Sequence, residues 1–169
     1  LYEMKINALR FFTAYGPRQR PEMAIAKFTQ LIANHQPVPM YGDGQSLRDY
    51  TYVGDIAQGV LNACCRFNGF QIYNLGESQT VSLHDLIHLI GKHLHKTPNI
   101  QMMASQLGDV LNTYADISKA KTHLGYNPQT TIENGIAAYV RWFHQQNPKA
   151  WKFQRFKACL HTRSPWRKN

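Results

Sequence analysis

A chain of 169 residues with 43% hydrophobic and 12% aromatic side chains has the composition of one globular domain, which excludes a disordered chain. The formal net charge of +9 suggests nucleic-acid binding at first sight, but residues 148–169 hold seven basic residues and no acid, which leaves +2 for residues 1–147. No stretch approaches the ~18 apolar residues of a membrane-spanning helix and no signal peptide is visible, so we expect a cytoplasmic protein with reduced cysteines.

Strand and helix patterns alternate along the chain. Short apolar runs bounded by Gly, Pro or Asn predict strands, and apolar residues at three- and four-residue spacing predict helices. The predicted strands are 7–15, 38–41, 48–53, 71–75 and 99–103, and the predicted helices are 22–34, 55–67, 82–94, 116–125 and 131–146. The predicted N-caps of three helices are Asp55, Ser82 and Asp116. This alternation indicates an α/β fold, although the strands are too few for a complete doubly wound sheet.

The stretch from Met40 to Ile56 carries the most detailed local prediction. Gly42-Asp43-Gly44 separates two strands, and Asp-Gly favours a hairpin because both positions tolerate positive φ, so we expect strands 38–41 and 48–53 to pair. Arg48 begins the second strand, where a fixed guanidinium can bind an anion through its planar fork of donors. The alternative is a hairpin that carries one solvated surface arginine.

Motifs that identify a catalytic or metal site by themselves are missing from the sequence. His84 and His88 have the i, i+4 spacing of metal ligands, but no Glu lies between them in a His-Glu-x-x-His pattern, so we expect no metal site. No tyrosine has a lysine four residues later. Gly42 and Gly44 lack the third glycine and the strand-to-helix context of a dinucleotide-binding loop.

Six motifs become specific when they are read together and in order. They are LRFFTAYGP at 9–17, RPEMA at 20–24, YGDG through RDYTYVGD at 41–55, YNLG at 73–76, GDV at 108–110, and TYADISKA with LGYNP at 113–128. The series closely resembles the C-terminal half of an extended short-chain dehydrogenase/reductase that acts on nucleotide sugars, and within that family the UDP-glucuronate 4-epimerase branch. The resemblance extends over residues 1 to about 146.

The resemblance implies a partial Rossmann fold. Residues 1–147 would supply its last strands and the small substrate-binding α/β subdomain, and residues 148–169 would be a basic, disordered tail. It also implies NAD-dependent 4-epimerisation of UDP-glucuronate to UDP-galacturonate, in which the nicotinamide supplies the hydride chemistry. The family's Tyr-x-x-x-Lys pair and glycine-rich NAD loop would lie upstream of Leu1. We therefore expect an inactive substrate-binding half that does not bind NAD tightly, and that associates through open strand edges with a missing N-terminal half or with copies of itself.

The resemblance also assigns binding roles to individual residues. Arg48 would bind the diphosphate and Asp109 the ribose hydroxyls, while Gln106 stands where related epimerases have a second diphosphate-binding arginine. Pro39, Met40 and Tyr41 would line the uracil, mainly through backbone groups. Thr13 would bind the sugar carboxylate and Arg20 would contact the same sugar. Phe12 would lie at the strand end beside the nicotinamide. In the alternative interpretation Thr13 is only a strand residue, Arg20 a solvated loop charge and Asp109 a turn residue.

Other functions stay open at the level of sequence. Aromatic residues interleave with the basic residues of the tail, as in Trp151-Lys152-Phe153, which can indicate binding to single-stranded nucleic acid or an anionic surface. The chain could also be the corresponding part of a dTDP-glucose dehydratase. A third alternative is a remnant that is too incomplete to fold stably.

Overall fold

The computed structural model describes residues 4–105 and 108–146, and within them strands and helices alternate as the sequence predicts. The elements are β1 (Ile6–Phe11), β2 (Thr13–Tyr15), α1 (Ala24–Ala33), β3 (Val38–Tyr41), β4 (Leu47–Tyr52), α2 (Val53–Cys64), β5 (Phe70–Leu75), β6 (Thr80–Ser82), α3 (Leu83–Leu94), β7 (Ile100–Met103), α4 (Ser118–Leu124) and α5 (Ile132–Gln145). The predicted α/β class is confirmed. The predicted tail lies outside the described residues, so the division at residue 147 stays a prediction.

The strands form three small sheets, most of whose pairs are parallel. β1 pairs with β5 and β3 with β7, both in parallel, and β4 lies between a parallel β2 and an antiparallel β6. Each parallel pair joins strands that are far apart in sequence, because a parallel connection needs a crossover. Among the described residues, no helix combines the length and apolar character that crossing a membrane requires.

The predicted single strand 7–15 is wrong, because the chain changes sheets at Phe12. β1 ends at Phe11 against β5, and β2 begins at Thr13 against β4. The Phe12 N–H still donates to the Leu75 carbonyl at 3.0 Å, so the change of partner occurs without a gap in hydrogen bonding. The aromatic run contains no Gly or Pro that would reveal this change. β1 is also not buried, since Ile6 and Phe11 are exposed.

The predicted hairpin is also wrong. β3 pairs with β7, and β4 pairs with β2 and β6, so the two strands that flank the turn never pair with each other. A turn does form here, but its positive φ values lie at Gly42 (65°) and Gly44 (75°) and not at Asp43. A Cβ on Gly44 would lie 2.6 Å from the Met40 sulfur, so this glycine is also needed for close packing. The Asp-Gly signal thus predicts the turn correctly, but distant strands determine the pairing.

The predicted helix caps have three different outcomes. Ser82 caps α3 as predicted, its Oγ accepting from the Asp85 N–H at 3.0 Å. Asp116 lies one residue before the N-cap position of α4, and its carboxylate accepts from the Ser118 N–H at 2.9 Å. The prediction for Asp55 is wrong: α2 begins at Val53, and the Asp55 carboxylate instead accepts from the backbone N–H groups of residues 129 and 130, each at 3.1 Å.

Two hydrophobic cores lie on different sets of elements. The larger core packs α1, α3 and α5 against β2, β3 and β4, with residues such as Tyr15, Ile25, Ile87 and Tyr139 fully buried. The smaller core packs α2 and α4 around β5 and contains Leu75, Leu124 and Tyr126 among others. β4 and the loop that follows β5 therefore lie where the two cores meet.

A buried carboxylate joins the elements at this junction. Asp49 on β4 is fully buried. Its two oxygens accept from the backbone N–H groups of Glu77 (2.9 Å), Ser78 (3.0 Å) and Ala115 (3.1 Å), and from the Thr51 hydroxyl (3.1 Å). These donors compensate the loss of hydration that burial of a carboxylate entails. Asp49 thus ties β4 to the loop after β5 and to the segment before α4.

Replacing Asp49 by alanine is expected to lower the free energy of unfolding by about 3–5 kcal/mol, because three backbone N–H groups, one buried and two partly buried, would lose their acceptor. Urea denaturation measures this change. Asp43→Ala is the matched control, since the Asp43 carboxylate accepts one backbone N–H on an exposed turn and its loss should cost about 1 kcal/mol or less. A loss below about 1 kcal/mol for Asp49→Ala would show that the buried carboxylate does not hold these elements together.

Glu77 carries a second carboxyl next to this junction. Burial, followed by repulsion from Asp55 and Asp49, raises the pKa of Glu77 to about 7, and its Oε2 is buried without a hydrogen-bond partner. The folded state therefore holds this proton more tightly than the unfolded state does. The contribution of Glu77 to stability is full below about pH 4.5, its ordinary pKa, and is lost as the pH rises to about 7 and beyond.

Glu77→Gln is therefore expected to raise the melting temperature at pH 8 relative to the unsubstituted chain, with a smaller difference at pH 5. Thermal unfolding followed by circular dichroism between pH 5 and pH 8 checks this. Glu133→Gln is the control and should lower the melting temperature at pH 8, because the hydrogen bond from Lys92 lowers the pKa of the Glu133 carboxyl. A Glu77→Gln variant that melts lower than the unsubstituted chain at pH 8 would contradict the prediction.

Candidate ligand-binding site

Arg48 is held at the start of β4 by two hydrogen bonds. Its Nη2 donates to Asp109 Oδ1 at 2.5 Å and its Nη1 donates to the Leu47 carbonyl at 3.0 Å. The Arg48 side chain is 20% exposed and that of Asp109 is 49% exposed. A guanidinium has five N–H donors, so three are left without an acceptor among the described residues. This is an oriented cation with free donors at the protein surface.

Asp109 reaches Arg48 because its segment runs along β4. The Leu47 N–H donates to the carbonyl of Leu111 at 2.8 Å, and the Thr113 N–H donates to the carbonyl of Leu47 at 3.1 Å. The structure thus brings two predicted site residues, 61 positions apart, into direct contact. The sequence prediction gave them separate ligand groups and did not anticipate this ion pair. Gln106, which stands where related epimerases have a second diphosphate-binding arginine, lies outside the described residues.

One edge of β3 offers backbone groups to a ligand. Val38 N–H donates to Asn99 O at 2.8 Å and Gly42 N–H donates to Met103 O at 3.0 Å, so alternate residues of β3 bond to β7. The Pro39 carbonyl and the Tyr41 N–H therefore point to the opposite edge, where no described residue pairs with them. Such an edge can pair with a ligand that carries a donor beside an acceptor.

The three predicted uracil residues differ in their surroundings. The Met40 side chain is buried in the larger core, while Pro39 and Tyr41 are half-buried. Met40 therefore cannot present its side chain at the free edge. Any contact that β3 makes with a ligand at this edge involves mainly backbone groups, as the sequence analysis expects.

A cleft of about 660 Å³ adjoins β4 on the side of β2. Among its lining residues are three arginines, two phenylalanines and two threonines: Arg10, Arg18, Arg20, Phe11, Phe12, Thr13 and Thr113. No acidic residue from the described part of the chain lines it. Thr13 pairs with Tyr50, two residues after Arg48 on the same strand, so the cleft and the Arg48–Asp109 pair are neighbours. The structure thus gathers Phe12, Thr13 and Arg20 as the sequence predicts.

Arg20 is more exposed than Arg48 and Asp109. Its side chain is 72% exposed, lies 3.5 Å from the Glu22 carboxylate and donates to the Met23 sulfur at 3.7 Å. Sequence reasoning missed the other residues of the cleft, among them Arg10, Arg18 and Thr113. A single arginine or threonine in a loop or strand carries no chemical signal in the sequence, so only their gathering around one cleft identifies them.

Metal ligands do not assemble in the part of the chain that the structure describes. No group of three or more His, Cys, Asp or Glu side chains has the geometry to hold an ion there. The rings of His84 and His88 lie 4.4 Å apart, and His84 Nδ1 is 3.3 Å from the Asp85 carboxylate. These two histidines are therefore ring neighbours on α3.

Comparison with known proteins identifies the family of the chain. The GDP-mannose 4,6 dehydratase family model matches residues 1–139. A UDP-glucuronate 4-epimerase of Thermodesulfobacterium geofontis is 37% identical over 143 residues, which are 84% of this chain and 44% of that protein. An uncharacterized protein of Methanocaldococcus jannaschii, MJ1055, is 43% identical over 143 residues, 85% of this chain and 44% of that one.

The fold agrees with a solved structure from the same group. The Bacillus cereus UDP-glucuronic acid 4-epimerase in complex with UDP-glucuronic acid and NAD superposes with a TM-score of 0.77 at 34% identity. The match covers 81% of this chain and 44% of that chain. The chain spans about half the length of the curated relatives it matches. On the evidence of the family model, the identities and the shared fold, the chain belongs to the nucleotide-sugar epimerase and dehydratase family of extended short-chain dehydrogenases/reductases.

Proposed function

We propose that this chain binds a UDP-sugar whose sugar carries a carboxylate. The diphosphate binds Arg48, the uracil lies along the free edge of β3, and the sugar enters the arginine-lined cleft. The observation that carries the proposal is the orientation of the Arg48 guanidinium beside that cleft. Asp109 and a backbone carbonyl hold it, and three of its N–H donors have no acceptor among the described residues. A planar fork with several free N–H groups suits the closely spaced oxygens of a diphosphate.

Asp109 has two roles in this proposal. Its Oδ1 holds Arg48, and its Oδ2 is free among the described residues to accept from a ribose hydroxyl. The carboxylate is close to half exposed, so a ligand can reach it. The same side chain would then orient the diphosphate-binding cation and the neighbouring ribose.

The uracil assignment follows from the hydrogen-bonding pattern of β3. Uracil carries an N–H donor between two carbonyl acceptors, and the free edge presents the Pro39 carbonyl and the Tyr41 N–H. Met103, at the end of β7, accepts from the Gly42 N–H, and Leu111 and Thr113 bond to Leu47 beside Arg48. β7 and residues 111–113 therefore support the two ends of the proposed nucleotide site.

The sugar and the reaction class come from the cleft and from the relatives together. Phe12, Thr13 and Arg20 line the cleft, and a carboxylate-bearing sugar matches its three arginines and its lack of described acids. We propose UDP-glucuronate as the ligand and 4-epimerisation as the reaction in which the family's intact site uses it. NAD supplies the hydride chemistry in that reaction, and Phe12 is the proposed contact.

The residues present do not fit a complete dinucleotide site. The 169 residues contain no Gly-x-x-Gly-x-x-Gly loop and no Tyr-x-x-x-Lys pair. We therefore assign this chain substrate binding and derive no step of hydride transfer from it.

Arg48→Ala is expected to abolish measurable UDP binding by the 169-residue chain in titration calorimetry. Charge-assisted hydrogen bonds to a charged group contribute about 1.5–3 kcal/mol, which is about one to two decades in the dissociation constant. Arg48→Lys should lose part of the affinity, because it keeps the charge but not the fork. Arg20→Ala should spare UDP, which lacks the second sugar that would occupy the cleft.

Arg141→Ala is the matched control, because this exposed arginine on α5 lies outside the proposed site. UDP affinity that is unchanged in Arg48→Ala, or equally reduced in Arg141→Ala, would overturn the assignment of the diphosphate site.

A further inference from the structure

His84 and His88 form a pair on the exposed side of α3 that the proposed function does not use. The His84 side chain is 46% exposed and His88 is also exposed, so solvent reaches both rings. The described residues contain no set of three or more protein ligands, and the missing Glu excludes the His-Glu-x-x-His pattern. Neither observation excludes a chelate that the two rings form alone, with water at the remaining positions of the metal.

The backbone of α3 holds both histidines in place. The His84 N–H donates to the Gly44 carbonyl at 3.0 Å, and the Ser82 side chain caps this end of the helix. His88 lies one turn further along, next to Ile87, which is fully buried in the larger core. A rigid helix positions metal ligands more precisely than a loop does.

The distance between the two rings fits a chelate whose nitrogens occupy neighbouring positions at about 90°. A metal lies about 3.2 Å from the centroid of an imidazole that binds it, since the metal–nitrogen bond is about 2.0–2.1 Å long. Two such rings have centroids about 4.5 Å apart at 90° and about 5.2 Å apart at the tetrahedral angle. The centroids of His84 and His88 are 4.4 Å apart. The distance therefore favours the tetragonal geometry of Ni²⁺ or Cu²⁺ over the tetrahedral geometry of Zn²⁺.

The contacts of the two rings leave nitrogens available to a metal. His84 Nδ1 is 3.3 Å from Asp85 Oδ1, which leaves Nε2 without a partner among the described residues, and a carboxylate on the other nitrogen is common for metal-bound histidine. Neither nitrogen of His88 has a hydrogen-bond partner in the described part of the chain. The ring planes are inclined at 51°, which is neither stacked nor edge-to-face, so aromatic packing does not explain their approach.

We propose that His84 and His88 form a surface chelate for a divalent transition metal of the Ni²⁺ and Cu²⁺ class. Nε2 of His84 and one ring nitrogen of His88 bind the ion, and water fills its other positions. Neither residue lines the cleft, so this site is separate from the proposed UDP-sugar site. Because the ion joins successive turns of α3, it stabilises the folded chain relative to the unfolded one.

Ni²⁺ is the probe for titration calorimetry with the 169-residue chain, because the exposed thiols of Cys64 and Cys65 can reduce Cu²⁺. His84→Asn and His88→Asn should each weaken Ni²⁺ binding about tenfold or more, since even an outer-shell partner of a metal contributes about tenfold. Asparagine has a helix propensity close to that of histidine, so both variants should melt like the unsubstituted chain without metal.

His144→Asn is the matched control. It removes an exposed histidine of α5 that has no second histidine one turn away, and it should leave the Ni²⁺ dissociation constant within about twofold. Equal Ni²⁺ affinity in the unsubstituted chain and in the His84 and His88 variants would overturn the inference, because any binding by thiols or by other histidines survives in those variants.

Thermal unfolding supplies a second readout. Saturating Ni²⁺ should raise the melting temperature of the unsubstituted chain and of His144→Asn by more than it raises that of His84→Asn or His88→Asn. Mg²⁺, which prefers oxygen ligands, should cause no shift, and an equal shift with Mg²⁺ would contradict the proposal. The affinity lost in His84→Asn should be smaller for Zn²⁺ than for Ni²⁺, and the reverse order would overturn the assigned geometry and metal class.

Discussion

The buried carboxylate of Asp49 is the interaction on which the arrangement of the site depends. It collects three backbone N–H groups from two segments far apart in sequence, the loop after β5 and the approach to α4. Gly76 packs closely against both Asp49 and Ala115. A Cβ on Gly76 would overlap the Cβ of Ala115 and lie 3.1 Å from an oxygen of Asp49, so only glycine fits there. The Asp49 N–H also lies 3.4 Å from the Thr113 hydroxyl. Asp49 therefore holds the segment that carries Asp109 against β4.

The chain's local chemistry is enough to predict its elements but not their partners. Periodicity and end signals predict the alternation of strands and helices, and the cap at Ser82, because these depend on neighbouring residues. The hairpin prediction failed because the Asp-Gly signal describes only the turn. The Asp55 prediction failed for a similar reason, since its carboxylate accepts hydrogen bonds from a backbone segment that is distant in sequence. The change of sheets at Phe12 likewise depends on strands that are distant in sequence, β4 and β5.

The candidate site shows the same division between local and distant information. The order of the motifs was enough to predict Phe12, Thr13 and Arg20, which the structure gathers around one cleft. It also singled out Arg48 and Asp109, but as independent ligand contacts and not as an ion pair. Arg18 was not predicted as a cleft residue, because only the folding of its loop beside the end of β1 brings it to the cleft.

Strand periodicity links the stability of the fold to the position of the Arg48 guanidinium. Successive residues of a strand point to opposite faces, so the burial of Asp49 turns Arg48 to the other side of β4. A shift of β4 by one residue would exchange the two, placing the guanidinium among the N–H groups that bind Asp49 and the carboxylate at the proposed diphosphate site. Each exchange alone would be strongly unfavourable, because buried N–H groups cannot satisfy a cation and a carboxylate repels a phosphate. The same register that satisfies the buried carboxylate therefore keeps Arg48 at the surface, where Asp109 can orient it.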